Sequence, residues 1–184
     1  MSELWKKIVG DNRLDMIASF EKVTKDQFHK DFMRLYPKTQ EKTIEAIYKR
    51  IMLPTRATKG SAGYDFYTPI PVSILPGETA TIPTGVRAKI DDGWYLCIVP
   101  RSSLGFKYRM QLDNTYGIID SDYYYADNEG HIMIKVTNDT KHGSKELFIE
   151  PGDRFVQGIF MQYGITKDDG ADAERNGGFG STGE

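Results

Sequence analysis

From Leu53 onward, apolar and polar residues alternate at a period of two, which is the pattern of half-buried β-strands. The alternating runs are short, and turn pairs such as Pro76-Gly77 and Asp92-Gly93 separate them. Many short strands joined by tight turns predict a mainly β protein, a jelly-roll-like sandwich or barrel. The runs that carry this prediction are ETATIPTGVRAKI, GWYLCIVP, HIMIKVTN and KELFIEPGDRFVQGIFMQY.

The first fifty residues follow a helical period instead, and a shorter helix is also expected before Gly10. Two interpretations stay open: the helices cap the β domain, or they bind a partner protein. The organisation predicted is a helical N-terminal extension (residues 1–50), a β domain (51–166) and a flexible C-terminal arm (167–184). The helical signals are a capping box at Thr24 and Gln27 with Phe28, Phe32, Leu35 and Pro37, then a cap at Thr39 with Ile44, Ile47 and Ile51.

Composition narrows the class of protein. The net charge of -2 gives no broad basic face for nucleic acid. The opening MSELWKKIVGDNRLD lacks the apolar core of a signal peptide, and no run has transmembrane length, so a cytoplasmic protein without membrane contact is expected. Cys97 lies in an alternating apolar run and is expected to be a buried structural thiol.

The stretch LDNTYGIIDSDYYY, residues 112–125, combines acids, an amide and aromatic rings. Asn114 carries a donor and an acceptor and can pair with the edge of a nucleobase. Asp120 follows two isoleucines and can act as a general base for a water. Tyr123 can lie flat against a sugar and leave no room for a 2′-hydroxyl. The alternative is a solvated turn between two strands.

Two further segments offer groups for anions. PRSSLGFK, residues 100–107, follows a predicted strand, and Arg101, Ser102 and Ser103 can all donate to one anion; the alternative is a turn at the strand end. The glycine-rich tail RNGGFGSTG can bind phosphate or simply fray. Three scattered histidines and one cysteine give no zinc pattern.

Five segments together resemble the motifs of the trimeric dUTP pyrophosphatases (dUTPases): SAGYDFY, PRSSLG, NTYGIIDSDY, GDRFVQGIF and RNGGFGSTG. They occur in the family's order over about residues 53–183. The resemblance implies a jelly-roll-like homotrimer with active sites shared between subunits. It also implies hydrolysis of dUTP to dUMP and pyrophosphate with Mg²⁺, by attack of water on the α-phosphorus.

The resemblance also implies a role for each matching position. Asp120 is the catalytic carboxylate that activates the water. Mg²⁺ is held by the substrate phosphates without a direct protein ligand. Asp65 either reaches Mg²⁺ through water or, as we prefer, forms a structural pair with Arg154. Uracil and deoxyribose are assigned to Asn114, Gly117, Ile118, Tyr123, Met133 and Phe179. The phosphates are assigned to Arg101, Ser102, Ser103, Gln157, Arg175, Ser181 and Thr182.

The chain departs from the family pattern in several places. Ser103 stands where glycine is usual, and the fifth motif is one residue short between Arg175 and the glycines. YYYADNEGH inserts residues before Gly130, which is expected to lengthen a hairpin. The N-terminal segment replaces a short lead-in strand.

Two other functions are weighed against dUTP hydrolysis. One is dCTP deamination on the same fold. That reaction needs a glutamate beside the base, and none precedes Glu129 in the third motif. The other is a regulatory protein that acts through its N-terminal helices.

Overall fold

The structure is a computed structural model that describes residues 15–141 and 145–173. It is mainly β, as the sequence predicts. The strands are β1 (Ala18–Lys22), β2 (Thr55–Arg56), β3 (Tyr64–Tyr67), β4 (Val72–Ile74), β5 (Thr79–Pro83), β6 (Val86–Ile90), β7 (Trp94–Pro100), β8 (Met110–Leu112), β9 (Gly117–Ile119), β10 (Met133–Asn138), β11 (Leu147–Ile149) and β12 (Arg154–Gln162). The helices are α1 (Lys25–Leu35), α2 (Glu41–Arg50) and α3 (Ser102–Tyr108), with a 3₁₀ turn at Ser121–Tyr125.

The largest sheet described has five strands in the order β2-β3-β12-β7-β9, and a second has the order β5-β10-β8. Two-stranded pairings join β1 to β6 and β4 to β11. Neighbouring strands within these sheets run antiparallel. Gly77 and Gly93 turn with φ of 85° and 82°, which confirms the predicted turns at these pairs.

The N-terminal segment is not only helical, because β1 precedes α1 and pairs with β6. Phe20 explains why this strand forms: its ring lies 5.3 Å from that of Tyr64 and 5.6 Å from those of Phe66 and Phe160. A strand places alternate side chains on one face, so Phe20 faces this aromatic cluster. The helix predicted before Gly10 lies outside the described residues.

Helix α1 begins as predicted, since the Thr24 hydroxyl accepts the backbone N–H of Gln27 at 3.2 Å. The predicted cap of the second helix is wrong by one residue. Gln40 is the N-cap of α2 and makes no side-chain capping bond. Thr39 instead donates its backbone N–H to the Tyr36 carbonyl at 3.1 Å, so it closes the turn between the helices.

Both helices bury their apolar faces in the same core as the sheets, which is the arrangement that the cap interpretation expects. Gly85 shows how close the packing is. It has φ of 71°, and an added Cβ would lie 2.2 Å from Cδ1 of Ile51. Among the described residues 15–51, the buried apolar residues are Val23, Phe28, Phe32, Ile44, Ile47 and Ile51.

One open alternative and one local prediction are wrong. Residues 102–108 form a helix, where the strand-end alternative expected a turn. The insertion after Tyr124 does not extend a hairpin: β9 pairs with β7, whereas β10 pairs with β5 and β8. The chain instead makes a 3₁₀ turn and folds back on it. The two segments lie so close that an added Cβ at Gly130 would be 2.7 Å from the Tyr123 carbonyl oxygen.

Cys97 is buried as expected, and burial raises the pKa of its thiol. In the part of the chain that the structure describes, no helix is long and apolar enough to span a membrane.

Candidate active site

One cavity, of about 290 Å³, has mostly aliphatic walls and lies between β7, β8, β9 and β10. We call it the apolar cavity. It brings together three residues that the sequence assigned to base recognition: Asn114, Gly117 and Met133. Its lining also includes Thr81, Ile98, Leu112, Asp113, Ile119, Ile132, Ile134 and Lys135.

A tight turn after β8 places Asn114 at this cavity. Thr115 adopts the left-handed conformation with φ of 71°, and its N–H bonds to the Leu112 carbonyl at 2.9 Å. Gly117 opens the next strand opposite Ile98, and an added Cβ would lie 3.3 Å from Cβ of Ile98. The glycine therefore allows β9 to lie close to β7 beneath the cavity.

Charged groups that sequence analysis did not single out lie beside Asn114. Lys135 Nζ lies 2.7 Å from Asp113 Oδ2, and the Thr137 hydroxyl also donates to Asp113. Burial raises the pKa of Asp113, but the Lys135 and Thr137 donors outweigh it and hold the pKa below its usual value. The pairing of β8 with β10 creates this cluster, and no local motif reveals that register.

A second cavity, of about 570 Å³, is lined by polar groups, and we call it the polar cavity. It contains Arg101, Ser102, Ser103 and Gln157, which the sequence assigned together to phosphate binding. Gly63 and Asp65 also line it. An added Cβ at Gly63 would lie 2.5 Å from Oε1 of Gln157, so this glycine makes room for the amide side chain.

Asp65 orients Arg101, the arginine that lines the polar cavity, and also binds Arg154. Its side chain is 9% exposed and accepts from Arg101 Nε at 2.9 Å and from Arg154 Nη1 at 3.2 Å. The predicted pair of Asp65 with Arg154 is therefore present, and Arg101 joins it. A carboxylate between two guanidinium groups offsets their charge and fixes their direction.

Ser102 and Ser103 occupy the first turn of α3, where backbone N–H groups lack acceptors within the helix. Gln157 lies in β12 opposite Asp65 of β3 and Val99 of β7. The polar cavity thus combines cationic, hydroxyl, amide and backbone donors, which suits an anion with several oxygens.

Asp120 follows β9 directly, and its carbonyl accepts the N–H of Tyr123 at 3.2 Å. The side chain of Ile118 points outward and is 48% exposed. The contact with the base that the sequence predicts for this residue would therefore involve its backbone groups. Neither Asp120 nor Tyr123 lines the two cavities described above.

Tyr123 is more enclosed than its assignment suggests, with 3% of the residue exposed. Its hydroxyl donates to the His131 carbonyl at 2.9 Å and accepts from Asn128 Nδ2 at 2.8 Å. Little of the ring is open to a sugar in this chain, and its role in sugar selection stays a prediction. The remaining assigned residues, Arg175, Phe179, Ser181 and Thr182, lie outside the described residues.

Among residues 15–141 and 145–173, no group of three or more His, Cys, Asp or Glu could hold a metal ion. Asp65 is a poor direct metal ligand, because a metal would compete with two guanidinium groups for its oxygens. The polar cavity therefore fits a cation that arrives with phosphate oxygens and keeps its waters, as Mg²⁺ usually does.

Sequence analysis also missed Asp31 and His131, which are 4% and 0% exposed and lie 2.7 Å apart between Oδ2 and Nδ1. A signal for Asp31 was present, because it falls on the apolar stripe of α1 between Phe28 and Phe32. A carboxylate in such a position requires a buried partner.

A mainly β fold with an apolar cavity beside an amide, and a polar cavity beside two arginines, defines a protein suited to a small ligand with a flat part and an anionic part. The dUTPase family model matches residues 49–183. The chain therefore belongs to the dUTPase family.

Relatives and a solved structure agree with this assignment. The chain is 44% identical to a deoxyuridine 5′-triphosphate nucleotidohydrolase of Lactococcus lactis over 136 residues, which is 72% of this chain and 89% of the relative. It is 41% identical to the enzyme of the same name from Burkholderia lata over 143 residues, or 73% and 90%. The crystal structure of a dUTPase from Streptococcus mutans superposes with a TM-score of 0.60 at 33% identity, covering 83% of this chain and 99% of that one.

Proposed function

We propose that the protein is a dUTP diphosphatase, which hydrolyses dUTP to dUMP and pyrophosphate. The observation that carries the proposal is the grouping of the family's residues into two chemically different cavities. Asn114 and Met133 share the apolar cavity, while Arg101 and Gln157 share the polar one. A nucleoside triphosphate has the same division between a flat base and a chain of phosphates.

The apolar cavity would take the uracil ring. Its volume of about 290 Å³ lies at the lower limit of small-molecule pockets, which suits a base better than a whole nucleotide. The Asn114 amide can donate to and accept from the uracil edge. Backbone groups of Gly117, Ile118 and Met133 would complete the pairing. The aliphatic walls exclude water and strengthen these hydrogen bonds.

The polar cavity would take phosphates. Arg101 presents a planar fork that Asp65 holds in place, with the hydroxyls of Ser102 and Ser103 and the amide of Gln157 beside it. Donors fixed in advance reorganise little as charge develops on the phosphate oxygens, which is the main source of rate in phosphoryl transfer.

Asp120 would accept a proton from the attacking water. The water oxygen bonds to the α-phosphorus, the bond from that phosphorus to the α–β bridging oxygen breaks, and the electron pair leaves with pyrophosphate. Tyr123 would support the deoxyribose and exclude a 2′-hydroxyl. Mg²⁺, when bound through the substrate phosphates and a water on Asp65, would neutralise part of the triphosphate charge.

We propose a jelly-roll-like homotrimer with shared active sites, in which the apolar cavity of one chain faces the polar cavity of another. Residues 1–50 would form a largely helical extension outside this shared site. Mixing Asp120→Asn with Arg101→Ala protein under conditions that exchange subunits tests the sharing. Recovery of activity well above both parents is expected, and no recovery after verified exchange would place each site within one chain.

The C-terminal arm, residues 167–184, would close over the bound nucleotide. Phe179 would cover the uracil, and Arg175, Ser181 and Thr182 would clamp the terminal phosphate. Deleting residues 175–184 should leave the oligomer intact and reduce turnover strongly. Turnover equal to that of the full chain would remove the arm from the mechanism.

The alternatives receive less support. Glu129 is the first glutamate after the third motif, and its carboxylate accepts from the backbone and hydroxyl of Thr24 at 2.7 and 2.6 Å, away from both cavities. It is therefore a poor proton shuttle for deaminating dCTP. A regulatory partner would find the apolar stripes of α1 and α2 already buried.

The direct test is pyrophosphate release with Mg²⁺ from dUTP, UTP, dTTP and dCTP in parallel. We expect release from dUTP and little from UTP and dCTP, because Asn114 would discriminate uracil from cytosine and Tyr123 would discriminate the sugar. Thymine has the same pairing edge as uracil, so the rate with dTTP reports how closely the cavity walls fit C5 of the base. Ammonia from dCTP would establish the deaminase instead. Inactivity on all four nucleotides would overturn the proposal.

A further inference from the structure

The N-terminal segment contacts the turn that carries the proposed catalytic carboxylate. We call residues 120–125 the catalytic turn. It starts at Asp120, contains Tyr123 and runs into the insertion, which lies between Tyr124 and Gly130. The contacts described below connect it to α1, an element outside the matched family region of residues 49–183.

The first link is a buried pair between α1 and the strand that follows the insertion. His131 Nδ1 lies 2.7 Å from Asp31 Oδ2, and Gln27 Nε2 donates to the same oxygen at 2.8 Å. The backbone N–H of Gly85 donates to His131 Nε2 at 2.9 Å. Because Nε2 must accept, Nδ1 carries the proton and donates to Asp31. Both ring nitrogens are therefore fixed.

The second link runs from His131 to the catalytic turn. The His131 carbonyl accepts the Tyr123 hydroxyl at 2.9 Å, and the Tyr123 N–H donates to the Asp120 carbonyl at 3.2 Å. The position of residue 131 thus determines where the phenol of Tyr123 is held. Tyr123 in turn closes the turn that begins at Asp120.

Contacts at the ends of the insertion reinforce the same arrangement. Glu129, with φ of 57°, binds the backbone N–H and hydroxyl of Thr24, the N-cap of α1. Tyr124 donates to Glu21 Oε2 at 2.9 Å, and the guanidinium of Arg87 lies 4.3 Å from the centre of the Tyr124 ring. Glu129, at the end of the insertion, and Tyr124, just before it, thus both bind the N-terminal segment.

Helix α1 also supports the apolar cavity from behind. Tyr36, just after α1, donates its hydroxyl to the Thr81 carbonyl at 2.8 Å, and Arg34 Nη2 contacts Met133 Sδ at 3.7 Å. Thr81 and Met133 both line the apolar cavity. One helix therefore contacts the support of the catalytic turn and the wall of the base site.

We propose that Asp31 is a positioning residue for dUTP hydrolysis, which acts through His131 and Tyr123 on the catalytic turn. This inference rests on the proposed function and extends it to the N-terminal segment. Without the carboxylate, the buried N–H of His131 loses its acceptor and the ring must turn to find another. The His131 carbonyl and the Tyr123 hydroxyl then shift, and a displacement of about 1 Å near a reacting group can lower a rate by about 100-fold.

The test compares Asp31→Ala and Asp31→Asn in the full chain. Asparagine keeps one oxygen that accepts from His131 and Gln27, whereas alanine removes it. We expect Asp31→Ala to lower kcat for dUTP by about tenfold or more and to reduce the preference for dUTP over UTP. Asp31→Asn should restore most of both quantities. Ile47→Ala is the stability control, because it weakens the same segment without removing a hydrogen bond.

A second readout is independent of catalysis. Amide hydrogen exchange of residues 121–125 should be faster in Asp31→Ala than in Ile47→Ala at equal loss of thermal stability. If wild-type protein does not hydrolyse dUTP, the proposed function fails, and hydrogen exchange alone decides the positioning role. Where Asp31→Ala does not fold, Glu129→Gln removes one acceptor for Thr24 and should show the same changes at smaller size.

The positioning role is overturned by a specific result. In that result, Asp31→Ala and Ile47→Ala lose equal stability. Both variants also keep the wild-type kcat, the wild-type preference for dUTP over UTP, and the wild-type rate of amide hydrogen exchange in the catalytic turn. Asp31 would then only stabilise the fold.

Discussion

The apolar and polar cavities of this chain are built by opposite means. Strands β7, β8, β9 and β10 and a tight turn shape the apolar cavity, and Asn114 is the amide among its aliphatic walls. The polar cavity depends on charge. Asp65 bridges Arg101 and Arg154, and these two ion pairs fix the direction of the guanidinium donors. We therefore expect the first cavity to select the base and the second to bind the phosphates by charge.

This difference predicts how each cavity responds to substitution. A change in the apolar cavity should alter which base is accepted, since we assign the discrimination of the base to one amide, that of Asn114. A change in the polar cavity should alter turnover for every triphosphate, because phosphates are common to all of them. Asp120, which follows a strand of the apolar cavity, should affect the chemical step alone.

The largest effect is expected from Asp120→Asn. The amide keeps the size of the side chain but cannot accept the proton of the attacking water, so kcat should fall by about 10²- to 10⁴-fold. Binding of a non-hydrolysable dUTP analogue, measured by calorimetry, should change little. Near-normal turnover would show that another group is the base.

Arg101→Lys should have the next largest effect, because lysine loses the planar fork that binds Asp65 and that we assign to phosphate. We expect kcat/KM for dUTP to fall by about 100-fold, with an equal fall for poor substrates. Arg154→Lys is the matched control, since it alters the other partner of Asp65. Equal losses in both variants would mean that Arg101 acts only through the ion pair.

Asn114→Asp should change selectivity. The carboxylate has lost the amide donor, so kcat/KM for dUTP should fall by about tenfold while that for dCTP falls less. The ratio of the two values, measured in one competition assay, is the readout. A uniform fall for both nucleotides would remove Asn114 from base recognition and weaken the contrast between the cavities.

The smallest effect concerns the acid stability of the apolar cavity. Because the folded-state pKa of Asp113 is lowered, its contribution is present above the unfolded value of about 3.9 and is lost as the pH falls through the folded value. Urea unfolding of Asp113→Asn should show a shallower loss of stability below about pH 4, by less than about 1 kcal/mol. Parallel wild-type and mutant profiles would contradict this.

The sequence predicted those features that depend on local pattern. A period of two identified the main strands, the pairs Pro76-Gly77 and Asp92-Gly93 identified turns, and Thr24 with Gln27 identified the start of α1. Prediction from the sequence failed for β1, because its partner strand β6 lies more than sixty residues further along the chain. It also failed for α3, because seven residues are too short to show a helical period.

The site was predicted less completely than the fold. Motif order assigned three residues of the apolar cavity and five of the polar cavity, but it did not show that Arg101 binds Asp65 or that Lys135 binds Asp113. Those contacts depend on strand register, which no single segment contains. Asp31 and His131, one hundred residues apart, meet only when α1 packs on the strands. The cytoplasmic location and the C-terminal arm stay predictions.

The central claim is that dUTP is held by its base and its phosphates so that a water activated by Asp120 attacks the α-phosphorus. Single-turnover hydrolysis of dUTP in ¹⁸O-labelled water, followed by mass spectrometry of both products, tests this directly. The account predicts the label in dUMP and none in pyrophosphate. Label in pyrophosphate would mean attack on the β-phosphorus and would contradict the assignment of Asp120.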